Sequence, residues 1–167
     1  MTLKYLCARH CELVARDGEQ ASRLWWGAYN HGVEAYRTGD WRRARTFLGT
    51  AYEIMLLRFA RDLKQNRGEV FIAQFVATGR FYSNVLCHLR DFDAAEACLS
   101  RVHDGLLHWS GEQAFPYQER IQAFAQVGEF RQKLVALLAI SGKGSYAKCV
   151  DLIARQVANQ VGAALHH

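Results

Sequence analysis

Cys7, His10 and Cys11 stand three and four residues apart, a spacing that puts two thiols and an imidazole on one helix face. Thiolate and imidazole are good zinc ligands, and Cys87 or His88 would be the candidates for a fourth. No second Cys-x-x-Cys pair accompanies them, and cysteine on a helix also serves as a small core hydrophobe. The cluster therefore reads as a packed face, with no metal and no cofactor expected. Its order, Cys-x-x-His-Cys, is not that of a haem-attachment motif. His88 with Asp91, and His103 with Asp104, pair an imidazole with a carboxylate as acid–base chemistry requires, but such neighbours are common at helix ends. The Walker loop, Gly-x-Gly-x-x-Gly, His-Glu-x-x-His and Gly-x-Ser-x-Gly patterns are all absent. The expectation is a protein that is not an enzyme, with a helical enzyme of unrecognised site as one alternative.

The other group with chemical potential is basic. Arg42, Arg43 and Arg45 follow Trp41, as phosphate contact beside base stacking would require. Arg58, Arg61, Lys64 and Arg67 lie at the far end of the same segment. Residues 1–67 hold twelve Lys/Arg against seven Asp/Glu, whereas residues 68–167 hold nine of each, so the whole formal charge of +5 sits in the first part. A basic end attracts acidic partners, but it also serves simply as a solvated surface. Trp41 fits a buried corner, and no basic track continues past residue 67. Nucleic-acid binding through the basic N-terminal half is thus the rival reading, ranked below protein binding.

The elements that must position these groups are helical. The chain of 167 residues is half hydrophobic and has one proline, Pro116. One domain of this length buries about two-thirds of its unfolded surface. Long helices exclude proline, whereas all-β chains need it in turns. Five cysteines without paired spacing argue against a disulfide framework, and no apolar run reaches membrane-spanning length. Those features suggest a cytoplasmic protein with no membrane partner.

One pattern recurs. Gly39-Asp40-Trp41 is followed by Ala44, Leu48 and Ala51; Arg90-Asp91-Phe92 by Ala95, Leu99 and Val102; and Gly128-Glu129-Phe130 by Leu137 and Ile140. The offsets of three, seven and ten from the corner aromatic lie on one helix face. Each copy reads as one helix ending, a tight corner, and a second helix packing back on the first.

Eight helices are expected on this basis. The first covers about Leu3–Arg16 and the second about Glu19–Thr38. The third is capped by Asp40 and carries Ala44, Leu48, Ala51, Met55 and Phe59 on its inner side. A break at Asn66-Arg67-Gly68 precedes a fourth helix ending near Leu89, and Asp91 caps a fifth with the stripe Ala95, Leu99, Val102 and Leu106. Ser110-Gly111-Glu112-Gln113 looks like a turn with a capping box, and Pro116 suits the first turn of the sixth. The seventh starts at Glu129 or Phe130 and ends before Gly142. Ser145 caps the eighth, whose inner stripe is Tyr146, Val150, Ile153, Val157 and Val161. Three hairpins then span residues 19–141, with capping helices at 1–18 and 142–167.

The corners and their offsets resemble the tetratricopeptide repeat (TPR). In the first hairpin Gly32, Gly39, Asp40, Trp41, Ala44, Leu48 and Ala51 fall at family positions. The second keeps Ser83, Asp91, Phe92, Ala95, Leu99 and Val102, with Arg90 where glycine is usual. The third keeps Gly128, Phe130 and Leu137. Corner aromatics 51 and then 38 residues apart, against a family period of 34, suggest extended, degenerate repeats. The resemblance implies an all-α fold of antiparallel hairpins stacked in a right-handed superhelix, whose first helices line a concave groove for a protein or peptide. Carried over, the groove set is Trp26, Tyr29, Val33, Tyr36 and Arg37 from the first hairpin. The second supplies Arg80, Asn84, Cys87 and His88, and the third Phe115, Gln118, Gln122 and Gln126. Aromatics, amides and cations suit a peptide backbone with an acidic group, and the implied role is adaptor, chaperone or regulator. Size and plan are also similar to bacterial type III secretion chaperones that cradle translocator proteins. Against this, Trp26, Tyr29 and Tyr36 could instead pack under the first helix.

Overall fold

The computed structural model describes residues 3–65 and 71–165, with side chains outside 60–65 and 71. Among the described residues there are seven helices and no strand. They are α1 (Ala8–Arg16), α2 (Gly18–Arg37), α3 (Trp41–Gln65), α4 (Phe71–His88), α5 (Phe92–Gly111), α6 (Tyr117–Ile140) and α7 (Gly144–Leu165). The all-α expectation holds, with seven helices in place of eight. The Asn66-Arg67-Gly68 break, the side chains of Arg61 and Lys64, and Arg67 lie outside the described residues, as do His166 and His167. No described helix is long and apolar enough to cross a membrane. Two compact units form, one from residues 1–67 and 77–90, the other from 68–76 and 91–167.

In the first unit α2 and α3 make the hairpin that the corner pattern implies. Gly39 takes φ +76°, a left-handed conformation that only glycine adopts without strain. The Asp40 N–H then reaches back to the Ala35 carbonyl at 2.9 Å, closing a Schellman turn. The Asp40 carboxylate in turn accepts from the Arg43 N–H at 3.1 Å and caps α3. Ala44, Leu48, Ala51 and Met55 are fully buried. Opposite them sits Gly32, where a Cβ would stand 2.6 Å from Leu48 Cγ and 3.0 Å from the Leu48 backbone nitrogen. The small residues are there because the two helices touch backbone to side chain.

The chain's start departs from expectation. Helix begins at Ala8 rather than near Leu3, because a buried carboxylate competes for the preceding amides. Glu53, on α3, accepts from the N–H groups of Lys4, Tyr5 and Leu6 at 2.5, 2.9 and 2.9 Å. The Tyr5 ring lies against Gly49, where a Cβ would come within 2.4 Å of it. Its hydroxyl accepts from Arg45 Nε at 3.3 Å and from the Tyr82 hydroxyl at 3.4 Å.

At the α4–α5 corner Arg90 carries φ 57°, where an L side chain crowds its own carbonyl. Arg90→Gly is expected to raise the melting temperature by ~2–4 °C. The relieved strain of ~1–2 kcal/mol exceeds the extra chain entropy of glycine, ~0.5–1 kcal/mol. A thermal melt showing a loss instead would mean that Arg90 holds contacts worth more than its backbone strain.

In the second unit the expected third corner is absent, and residues 117–140 form one continuous helix, α6. Ala123, Val127, Phe130, Leu134 and Leu137 are buried at spacings of four, three, four and three, an apolar seam that runs straight past Gly128. Breaking that seam would cost more than the ~1 kcal/mol that one exposed glycine takes from a helix. The reversal comes at Gly142 instead, with φ +82° and the Lys143 N–H on the Leu138 carbonyl at 2.9 Å. The capping box at Ser110 also fails. α5 runs on to Gly111, and the buried Ser110 hydroxyl donates to the Leu106 carbonyl at 2.6 Å. Pro116 is the N-cap of α6.

Helix α7 starts at Gly144, one residue before the expected cap, and turns a different face inward. Ala147, Ala154 and Leu165 are buried, whereas Tyr146 and Ile153 of the expected inner stripe are 55% and 61% exposed. Asp151 decides the rotation, because it pairs with Arg131 of α6 and with Arg155.

Candidate binding surface on the first unit

Six aromatic rings of α2, α3 and α4 interlock in the first unit. Along α2, Trp25, Tyr29 and Tyr36 share a face at helical spacing. The Trp25 indole N–H donates to Thr78 Oγ1 of α4 at 2.9 Å, and Tyr29 stacks on Trp25 with ring centroids 4.9 Å apart. Phe81 then presents its edge to Tyr29 at 5.9 Å and to Tyr36 at 5.2 Å. Tyr36 meets Trp41 edge-on at 5.4 Å, and Trp41 stacks flat on His88 at 4.0 Å. Edge-to-face and offset contacts of this kind add ~0.5–1.5 kcal/mol each beyond burial. The ladder is a rigid bed.

The groove set divides against that bed. Val33 is buried, and Tyr29, Tyr36 and His88 are engaged in ring contacts, so their first duty is packing. Trp26, by contrast, leaves 59% of its surface open and meets the bed at Trp25, with ring centroids 5.7 Å apart. Arg37 is exposed three turns further along α2, while Arg80 and Asn84 are half-buried one turn apart on α4. Both guanidiniums bear electrostatically on Tyr29. Burial pushes its hydroxyl above the ordinary tyrosine range, while Arg80 and Arg37 pull it the other way. An open indole therefore lies at the Trp25 end of the bed, and two cations bear on it at Tyr29.

Gln118 and Gln122 are exposed and Gln126 half-buried on α6, in the second unit, and the corner that aligned them with the first two hairpins does not exist. Phe115 is buried and stacks on Trp109 at 4.1 Å. The N-terminal segment is tied to α3 through Glu53 and Gly49, which accounts for where it goes.

The basic cluster is partly structural. Arg45 holds Tyr5, Arg43 lies over the Phe47 ring at 5.7 Å, and Arg58 is buried rather than a solvated end. Trp41, the aromatic a nucleic-acid site would need, is committed to His88. In the cysteine cluster Cys7 Sγ lies 3.2 Å from His10 Nδ1, and burial, then Cys7 and Glu53, push the Cys11 thiol up. Among the described residues no group of three His, Cys, Asp or Glu side chains could hold a metal ion.

Sequence reasoning missed Trp25, Phe81 and Glu53. Trp25 and Phe81 were visible as partners at helical spacing to Tyr29 and His88. Glu53 was visible as a lone acid inside Ala51-Tyr52-Glu53-Ile54-Met55. Compared with known proteins, the chain matches no family model, no curated protein and no solved structure.

Proposed function

We propose that the chain is a non-enzymatic, TPR-like scaffold that binds a protein or peptide bearing an acidic group, as an adaptor, chaperone or regulator. The α2–α3 hairpin supports the TPR-like reading, with its Gly39 corner and its Gly32–Leu48 crossing among Ala44 and Ala51. The observation that carries the binding reading is the open Trp26 at the Trp25 end of a bed of interlocked rings, with Arg37 and Arg80 bearing on the same bed at Tyr29. A guanidinium pair recognises carboxylate, an amide pairs with a peptide bond, and an exposed indole on a rigid support gives contact area at little entropic cost.

Fluorescence anisotropy tests this with labelled acidic, neutral and basic peptides alongside single-stranded RNA and DNA. Acidic peptides are expected to bind. Trp26→Ala with Arg37→Ala is expected to weaken them roughly thirtyfold or more, because truncating a tryptophan or arginine anchor costs ~2 kcal/mol or more. Arg42→Ala with Arg43→Ala should matter little, and circular dichroism should be unchanged throughout. Nucleic-acid binding that weakens by about one log unit per log unit of salt for each phosphate contact, and that is lost with Arg42 and Arg43, would give the function to the rival reading.

A further inference from the structure

Helix α7 is held to the second unit by charge more than by core. Of its 22 residues three are buried, Ala147, Ala154 and Leu165, and only the last is large. α6, by contrast, buries Val127, Phe130, Leu134, Leu137 and Leu138. The bulky Tyr146, Leu152 and Ile153 of α7 are exposed and add little to its docking. Two polar links hold its first half. Asp151 pairs with Arg131 of α6, both half-buried. Just ahead of the helix, the Lys143 ammonium donates to Glu96 Oε2 at 2.7 Å and to Asp93 Oδ1 at 3.2 Å, both on α5. The chain enters α7 through Gly142, at φ +82°, and Gly144. Between α5, α6 and α7 lies a groove of about 350 Å³ whose lining includes His103, Leu134, Leu138, Tyr146, Val150 and Ile153. His103 is buried. Its Nδ1 lies 3.1 Å from Asp104 Oδ1, whereas its Nε2 has no hydrogen-bond partner.

We propose that α7 is a hinged lid, latched by the Arg131–Asp151 pair and by Lys143 on Glu96 and Asp93, which swings about Gly142 while α5 and α6 stay folded. A left-handed glycine with a second glycine two residues on lets the turn change φ and ψ, as a hinge must. So small a docked face gives up little apolar burial on release, the condition for opening far below global unfolding. The latching charges are all partly exposed, so water takes them up as they part. His103 sets a cost on the closed state. A buried nitrogen without a partner keeps its full desolvation penalty, and hydration removes that penalty once the lid lifts. Opening uncovers Leu134 and Leu138 of α6 with the His103 imidazole beside them. The lid is separate from the peptide-binding surface proposed above and stands without it.

Hydrogen exchange of the whole chain, read residue by residue by NMR, tests the lid. Residues 148–160 are expected to exchange through one common opening, roughly hundredfold faster than residues 99–106 of α5 and 130–138 of α6. Asp151→Asn with Lys143→Met removes both latching charges at nearly constant size. It should speed α7 several-fold further and leave the α5 and α6 rates alone. Diethyl pyrocarbonate should then acylate His103 faster in that variant, while the exposed His31 reacts alike in both proteins. Protection of α7 equal to that of α6 overturns the inference. So does a rate that climbs steadily toward Leu165, since that is fraying from the end rather than movement about Gly142. A double variant that speeds α5 and α6 as much as α7 overturns it by making the three helices one cooperative body. One that leaves α7 and His103 unchanged overturns it by showing that these pairs are not the latch.

Discussion

Gly32→Val is expected to lower the melting temperature by about 5–10 °C, for a loss of ~2–3 kcal/mol. A side chain there begins 2.6 Å from Leu48 Cγ, and Leu48 is fully buried, so it has no open rotamer to retreat into. The Leu48 backbone nitrogen, 3.0 Å away, cannot move without shifting α3. Gly32→Ala should cost less, because the helix gains ~1 kcal/mol of propensity that offsets part of the clash. Differential scanning calorimetry of the two variants should rank them native, Ala, Val. A valine variant that melts with the native protein would show that α2 and α3 do not cross at this point.

Glu53→Ala should be as damaging, by a different route. Removing the carboxylate leaves the amides of Lys4, Tyr5 and Leu6 without an acceptor at a partly buried site. Hydrogen bonds to a charged group contribute ~1.5–3 kcal/mol each, but the released segment recovers most of that by hydration, for a net loss of ~2–4 kcal/mol. Hydrogen exchange at these amides should become fast, and trypsin should cut at Lys4 and Arg9 in the otherwise folded chain. Glu53→Gln should fall between, because an amide offers one acceptor oxygen and turns an N–H₂ toward donors. Slow exchange retained in the alanine variant would mean that Tyr5 against Gly49, rather than the carboxylate, anchors the segment.

The parts of the fold legible in the sequence are those written locally. Gly39-Asp40 and Asp91 are capping chemistry, and Ala44, Leu48, Ala51, Ala95, Leu99 and Val102 are stripes whose period names the buried face. The misreadings occur where a distant group overrides a local signal. Gly128-Glu129-Phe130 has the residues of a corner, yet the seam through Val127, Phe130 and Leu134 keeps the helix straight. Leu3–Cys7 has helical spacing, yet Glu53 draws its amides away. Tyr146, Ile153 and Val157 look like an inner stripe, yet with Asp151 paired to Arg131 the face one residue further on, Ala147 and Ala154, is the one buried. Within the candidate surface, the sequence does not say which rings pack each other. That choice depends on Trp25 reaching Thr78, and Phe81 meeting Tyr29 and Tyr36, across α2 and α4.

Glu53 also imposes an order of events on synthesis. The amides it receives lie 47 to 49 residues upstream of it in the chain. At about 5–20 residues per second, a translating ribosome needs roughly 2–10 s to make that stretch. For that interval the nascent tail has no acceptor to settle on, while the α2 hairpin is still being completed. Residues 4–6 therefore settle only once α3 has been made, after the helices that directly follow them in the chain.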